Sequence, residues 1–239
     1  MKKIIKLFVL TIIAIVLTAG IYIGTSGYLF YRKTVKTKSL SDKITEIRQA
    51  DYFVPISEIP KDYKDAVIAV EDHRFEEHGA VDLIAIGRAL TSNVKNKDLV
   101  EGGSTITQQV VKNLYFMEED TKSDSLDRKI AEVIIGIDLE KNYSKDEIFE
   151  LYANNIYFGD GYYNLKDAVK GYFNKEPSEM NLYECTLLAG IPNAPSVYSP
   201  NVNPELSKKR HAKVLRSMVK YGYLTQEEAD AVNLNEYYE

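Results

Sequence analysis

The stretch of sequence that decides the fold runs from residue 71 to residue 132 and contains three separated motifs. They read EDHRFEEH at 71–78, GGSTITQQ at 102–109 and RKIAE at 128–132. The first is a cluster of carboxylates, and the second is a small-residue turn that carries hydroxyl and amide groups. The third is a basic pair followed by another glutamate. Together the motifs supply what acid–base chemistry on a sugar phosphate needs.

The apolar spacing around these motifs predicts a mainly α fold. An apolar segment at 66–70 leads directly into Glu71, and its burial would fix that carboxylate. Helices are predicted, in chain order, at 82–94, 105–115, 126–141, 147–155, 165–172, 178–191, 204–222 and 225–232. Ser144 and Thr225 begin capping-box patterns, which mark helix starts. No segment alternates convincingly in the way that a strand requires.

An uncharged run from Leu7 to Tyr31 follows three lysines near the amino terminus. A hydrocarbon core needs roughly 20 apolar residues, so this run predicts a membrane-spanning helix. A cleaved signal peptide is the alternative, but its apolar region is usually ~7–15 residues long, and Leu17-Thr18-Ala19 is a poor cleavage site. We therefore predict an anchor with a cytoplasmic tip at 1–38 and a folded domain at 39–239.

The distribution of charge separates the anchor from the domain. Residues 1–38 carry seven of the 30 Lys and Arg residues and no acid, so 23 basic residues face 35 acidic ones in the remainder. An acidic domain argues against nucleic-acid binding. Positive charge lies on both sides of the apolar run. We place the domain outside the cell membrane because a long remainder can be translocated regardless of its charge.

Several smaller patterns allow two interpretations. Gly102 and Gly103 precede a predicted helix whose start could bind an anion, although a Gly-Gly-Ser turn is usually only a turn. His73 and His78 lack a His-Glu-x-x-His pattern and are interpreted as structural histidines. The sequence at 217–220 matches Ser-x-x-Lys, but without a Lys-Thr-Gly partner we interpret it as chance on a surface helix. Cys185, the only cysteine, is predicted to be buried.

The three motifs, in this order, resemble those of the peptidoglycan glycosyltransferases, the domain found in class A penicillin-binding proteins and in monofunctional membrane-anchored enzymes. The resemblance covers about residues 52–232. The matching residues are Glu71, Asp72, Phe75 and His78, then 102–109 with Lys112 and Asn113, then Arg128, Lys129 and Glu132, then 145–148 with Tyr152, Asn154 and 157–159, and finally 188–196. Asp124 and Ala131 stand where many relatives carry a basic residue.

The resemblance implies a lysozyme-like helical domain that polymerises lipid II into β-1,4-linked glycan strands and releases undecaprenyl pyrophosphate by inverting transfer. It implies Glu71 as the general base. Glu132 would lie on the phosphate side, where it could orient the cations or share a divalent cation such as Mg²⁺ or Mn²⁺, and no organic cofactor is expected. The implied substrate-binding residues are Asp72, Phe75, Arg88, Ser104, Thr107, Gln108, Lys112, Arg128 and Lys129. The implied partners are lipid II, the growing glycan strand, the cytoplasmic membrane and transpeptidases.

Two other classes of function stay open. A lysozyme-like enzyme that cleaves glycan would also use a glutamate acid, but it would need neither the Arg128-Lys129 pair nor an anchor. A catalytically weak scaffold that binds lipid-linked sugar is the non-enzymatic alternative, and Asp124 encourages it.

Overall fold

The computed structural model describes residues 2–88, 103–117 and 125–238. The helices that lie wholly within these ranges are α1 (Lys2–Thr37), α2 (Leu40–Arg48), α3 (Lys61–Glu71), α4 (Ile106–Tyr115), α5 (Leu126–Asn142), α6 (Lys145–Ala153), α7 (Leu165–Phe173), α8 (Leu182–Gly190), α9 (Pro195–Tyr198), α10 (Pro204–Lys220) and α11 (Gln226–Asp230). Short 3₁₀ turns occur at Ile56–Glu58, Pro177–Glu179, Ile191–Asn193 and Glu236–Tyr238. These ranges contain no strand, so the prediction of a mainly α fold is confirmed.

Local capping explains where most of these helices begin. The predicted capping boxes at Ser144 and Thr225 are both formed. The same reciprocal pattern also starts α4 at Thr105 and α8 at Asn181. Each box pairs two backbone N–H groups that a helix start would otherwise leave without partners, and so fixes the first turn.

Two segments differ from the predicted helices. No helix was predicted at 39–51, where the chain is polar, but Ser39 caps α2, which buries Leu40, Ile44 and Ile47 on one face. The helix predicted at 178–191 is interrupted, because the Asn181 side chain accepts the N–H of Glu184 and starts a new helix there. Residues 83–88 of the helix predicted at 82–94 are helical, and the remainder lies outside the described residues.

Two groups of helices form the domain. In the first group, α8 is buried along all but its first residue, and α3 and α10 pack against it and against each other. In the second group, α4 packs against α5 and α6. Cys185 lies in the interior on α8, as predicted, and burial raises the pKa of its thiol. The end of α3 lies between the two groups and carries Glu71.

The helix α1 is long and apolar enough to cross a membrane, as the sequence predicted. Its second half packs against α5. The Tyr115 hydroxyl also donates a hydrogen bond to the backbone carbonyl of Lys38 at 3.2 Å. The domain boundary at residue 38 stays a prediction, because the anchor and the domain are in contact on both sides of it.

Candidate active site

A cleft of about 560 Å³ opens between the two groups of helices, and the end of α3 brings Glu71 into it. One side, here called the α4–α5 wall, consists of Ser104, Gln108, Gln109, Lys112, Lys129 and Glu132. The other side, here called the α10 wall, consists of Arg210, Lys213, Ser217, Lys220 and Tyr221. Asp72, His73 and Arg88 also line the cleft. Several carboxylates, Glu71, Asp72 and Glu132 among them, and a set of basic side chains therefore share one concave site.

The Glu71 carboxylate is held from both walls. Its Oε1 atom accepts a hydrogen bond from Arg210 Nη2 at 2.5 Å, and its Oε2 atom accepts one from Gln109 Nε2 at 3.2 Å. Arg210 is fixed in turn, because its Nε donates to the carbonyl of Gly190 at 3.1 Å. Only 8% of the Glu71 side chain is exposed, so these contacts determine where its oxygens lie. The carboxylate is positioned before any substrate binds.

Asp72 joins the first motif to the second. Its Oδ2 atom accepts the N–H of Ile106 at 3.0 Å, and its Oδ1 atom accepts from His78 Nε2 at 2.7 Å. His78 Nδ1 donates to the Gly79 carbonyl at 2.6 Å. Burial disfavours the charged imidazole, but the hydrogen bonds to Asp72 and Gly79 outweigh it and raise the pKa of His78. His78 is thus the structural histidine that the sequence predicted.

The start of α4 is already occupied by protein groups. Asp72 takes the N–H of Ile106, and the Thr105 hydroxyl takes the N–H of Gln108 at 3.1 Å. The suggestion that this helix start binds an anion through its N–H groups is therefore not supported at these two positions.

The α4–α5 wall holds a tightly connected cationic cluster. Lys129 Nζ donates to Glu132 Oε2 at 2.9 Å and to Ser104 Oγ at 3.1 Å. Arg128 Nε lies 3.2 Å from Glu132 Oε1, so the buried Glu132 carboxylate lies between the two cations. Of the two roles left open for Glu132, this arrangement favours orienting the cations.

Three predicted substrate-binding residues do not line the cleft. Phe75 is fully buried, with the Lys145 ammonium 4.4 Å from its ring centre. Thr107 is also fully buried and donates its hydroxyl to Glu140 at 2.5 Å. Arg128 is buried behind Glu132. Their positions indicate packing and support roles, and give no support to direct contact with substrate. Asp124, to which the sequence analysis gave weight, lies outside the described residues.

The α10 wall was not predicted from the sequence. Arg210, Lys213, Ser217 and Lys220 follow one another at helical spacing, so they lie along one face of α10 that turns toward the cleft. The Ser217–Lys220 pair is therefore part of the cleft and not only of a surface helix. A row of basic residues at this spacing was the signal that could have found the wall. Gln109 belongs to the motif at 102–109, but no role was predicted for it from the sequence.

His73 joins the α10 wall to the opening of the cleft. Its ring stacks on Tyr221 with centres 4.2 Å apart, and Arg88 Nη1 donates to its Nε2 at 3.2 Å. Burial, and then the charge of Arg88, lower the pKa of His73. A neutral imidazole that accepts from an arginine fixes the guanidinium of Arg88 at the cleft.

The described residues of the cleft and its surroundings do not form a fitting site for a divalent cation. Within the described residues, Asp72, His78 and Asp82 place ligand atoms within 4.8 Å of one another. His78 uses both ring nitrogens as donors, so it offers no lone pair to a metal. At Glu132 the neighbouring Arg128 and Lys129 already balance the carboxylate.

Comparisons with known proteins agree on one family. Residues 37–219 match the family described as Transglycosylase. Penicillin-binding protein 1F of Bacillus subtilis is 46% identical over 176 residues, which cover 74% of this chain and 24% of that protein. Penicillin-binding protein 1A of Neisseria flavescens is 44% identical over 178 residues, which cover 74% of this chain and 22% of that protein.

A relative of similar length is a Cupriavidus necator protein named "Putative transglycosylase", 38% identical over 230 residues. That alignment covers 96% of this chain and 94% of the relative. The chain spans about a quarter of the length of the penicillin-binding proteins it matches. Because the family match covers most of the 239 residues, the chain belongs to the transglycosylase family, which confirms the predicted resemblance to the peptidoglycan glycosyltransferases and the lysozyme-like fold class.

Proposed function

We propose that the chain polymerises lipid II into β-1,4-linked glycan strands of peptidoglycan and releases undecaprenyl pyrophosphate, with Glu71 as general base. The observation that carries the proposal is the fixed position of Glu71 in a cleft that it shares with a cationic cluster. Arg210 and Gln109 hold the carboxylate, while Lys129, Ser104 and Glu132 form that cluster. A base and a phosphate-binding group are the two parts that this reaction requires.

The proposed step is an inverting displacement. The 4-hydroxyl oxygen of the acceptor sugar attacks C1 of the donor sugar, and the bond from C1 to the pyrophosphate oxygen breaks. Glu71 takes the hydroxyl proton, and the electron pair of the broken bond leaves with the pyrophosphate. Lys129 and Lys112 line the same cleft and would stabilise that leaving charge. Glu132 orients Lys129 and does not take part in proton transfer.

The cleft favours transfer over glycan cleavage. A glycan-cleaving enzyme of lysozyme type needs one carboxyl group to donate a proton to the leaving sugar. In this cleft Glu71 is paired with Arg210, and Glu132 is paired with Lys129 and Arg128. Carboxylates paired with cations suit a proton acceptor and a cation holder better than a proton donor. Lys213 and Lys220, the additional basic residues of the α10 wall, suit a substrate that carries phosphate.

The setting of this reaction is part of the same proposal. An anchor helix followed by a helical domain fits a membrane protein whose catalytic domain faces the outside of the cytoplasmic membrane. The substrate would be lipid II together with the growing strand. Cross-linking of the strands would then depend on transpeptidases.

The deciding experiment incubates the purified full-length chain with fluorescent lipid II in detergent and in liposomes, and separates the products on a gel. We expect a ladder of polymer that muramidase digests. A parallel incubation with purified sacculi should release no soluble fragments. Release of such fragments would favour glycan cleavage, and failure to make polymer under any detergent or metal condition would favour the binding scaffold.

A further inference from the structure

The helix α1 consists of two segments that differ in their contacts. Residues 2–22 are exposed along their whole length. From Ile23 onward a stripe of partly or fully buried residues begins, namely Ile23, Ser26, Gly27, Phe30, Tyr31, Thr34, Val35 and Lys38. Steps of three and four residues place this stripe on one face of the helix. That face is docked on the folded domain.

The closest approach occurs at Ser26 and Gly27. The Ser26 hydroxyl donates to Asp127 Oδ2 at 2.8 Å. Gly27 is the one buried residue of α1, and a Cβ atom placed on it would lie 2.6 Å from the Cβ of Ile130. Atoms cannot come that close, so only glycine permits this contact. Small residues at a helix crossing allow this kind of close backbone approach in membranes.

The helix that α1 touches is the one that carries the cationic cluster. Asp127 and Ile130 of α5 lie in the same turn as Lys129, and Glu132 lies in the next turn. A shift or rotation of α5 against α1 would therefore move Lys129 relative to Glu71. The anchor contact and the phosphate side of the cleft belong to one rigid element.

The length of the uncharged run sets the depth of this contact. The run begins at Leu7, and the roughly 20 residues that span a hydrocarbon core of about 30 Å at 1.5 Å per residue end close to Ser26. Gly27 therefore lies at the end of that span. Tyr22, Tyr28 and Tyr31 lie on either side of Gly27 along α1, and tyrosine side chains are enriched at the membrane–water interface. The contact with α5 thus falls at the depth of the lipid headgroups.

We propose that Ser26 and Gly27 are positioning residues, whose contact with Asp127 and Ile130 holds Lys129 and Glu132 at the depth of lipid-linked phosphate. The inference rests on the proposed function for the identity of the phosphate, and it goes beyond tethering. A tether only raises the local concentration of enzyme near its lipid. A positioning contact also fixes the height and orientation of the site above the membrane.

Two glycines of the same helix provide a matched test. Gly27→Leu introduces a side chain against Ile130, whereas Gly24→Leu introduces the same side chain where no atom lies within 4 Å. In liposomes containing lipid II, we expect Gly27→Leu to lower the rate about ten- to a hundredfold and Gly24→Leu to stay within about twofold of the parent. Equal rates for the two variants would overturn the positioning role and leave α1 with a tethering role only.

A gentler pair covers the case in which Gly27→Leu does not fold. Ser26→Ala removes the hydrogen bond to Asp127, and Thr25→Ala changes an exposed neighbour by a similar amount. We expect Ser26→Ala to be slower than Thr25→Ala in liposomes. No difference between these two variants would overturn the role of Ser26.

A depth measurement tests the contact without relying on activity. The chain contains no tryptophan, so Ile137→Trp, at an exposed position of α5, gives a single fluorescent probe. We expect lipids brominated at defined depths to quench this probe over a narrow range in the parent and in Gly24→Leu. In Gly27→Leu the range should shift or broaden. An unchanged range would overturn the proposal, whereas a shifted range in a chain that makes no polymer would count against the proposed function alone.

Discussion

The two walls of the cleft differ in how their polar groups are held. On the α4–α5 wall, Lys129 is partly buried and bound by both Ser104 and Glu132. On the α10 wall, Lys213 and Lys220 are exposed, and Arg210 is the buried member. Glu71 lies between them and receives one hydrogen bond from each side. Under the proposed function, this difference assigns phosphate binding in a fixed geometry to the first wall, and positioning of the base and attraction of charge to the second.

The largest expected effect is on the turnover number, and it distinguishes Glu71 from Glu132. Glu71→Gln keeps the shape but cannot accept the hydroxyl proton, so the turnover number should fall about 10²- to 10⁴-fold with little change in KM. Glu132→Gln should instead raise KM, because it releases Lys129 and Arg128 from their fixed positions. Steady-state kinetics with lipid II at several concentrations distinguishes the two. A Glu71→Gln enzyme that keeps more than about a tenth of the activity would remove the assignment of the base.

The second effect concerns Arg210. Arg210→Lys leaves a cation but cannot donate to both Glu71 and the Gly190 carbonyl, because lysine lacks the planar fork of donors. We expect the turnover number to fall about ten- to a hundredfold while KM stays near the parent value, since Arg210 acts through Glu71. Lys208→Arg, an exchange of the same two residue types elsewhere on α10, serves as the control. A change confined to KM would place Arg210 on the substrate.

A smaller effect is expected on KM, whose dependence on salt should differ between a lysine of the α4–α5 wall and a lysine of the α10 wall. Lys129→Ala should raise KM for lipid II about tenfold at all salt concentrations, because a held and partly buried charge is poorly screened. Lys213→Ala should raise KM by a few-fold at low salt and lose this effect near ~1 M salt, where the screening length is about 3 Å. Titration of KM against salt for both variants checks the difference. Identical salt dependence would show that the walls do not differ in this way.

The smallest effect is on stability against pH and uses one histidine near each wall. The pKa of His78 is raised above 6.5 in the folded state. Its contribution to folding stability is therefore fully present below pH 6.5 and is lost as pH rises through the raised pKa. Burial lowers the pKa of His211 on α10 to about 3, so the folded state loses stability as pH falls below 6.5 and the unfolded chain takes up the proton.

Thermal unfolding across pH checks these signs. His78→Gln should flatten the loss on the alkaline side, and His211→Asn should flatten the loss on the acid side. If His78→Gln changed only the acid side and His211→Asn only the alkaline side, the hydrogen-bond pattern around Asp72 and the burial of His211 would be contradicted. Stability curves that stay unchanged in both variants would contradict them as well. Each variant serves as the control for the other.

The sequence predicted those features that depend on neighbours along the chain. Capping boxes at Ser144 and Thr225 are local, and the structure forms both. The motif at 128–132 placed Lys129 and Glu132 one turn apart on a helix, where they are paired. The short helix α2 was missed because its three buried apolar residues are spread through a polar segment.

The remaining features depend on tertiary contacts that no local pattern encodes. Arg210 reaches Glu71 across 139 residues, and only the packing of α3 and α10 on α8 brings the two together. Phe75 and Thr107 belong to the same motifs as cleft residues, yet they point into the core. Membership in a motif therefore does not distinguish a residue that contacts the substrate from one that supports it.

The long separation between Glu71 and Arg210 also has a consequence for biosynthesis. At about 5–20 residues per second, a ribosome needs about 7–28 s to advance from Glu71 to Arg210. During that interval α3, α4 and α5 can emerge, but the partner that holds the Glu71 carboxylate does not yet exist. The newly made chain therefore acquires a complete cleft only after α10 has been synthesised, so assembly of the cleft is a late event in the synthesis of each molecule.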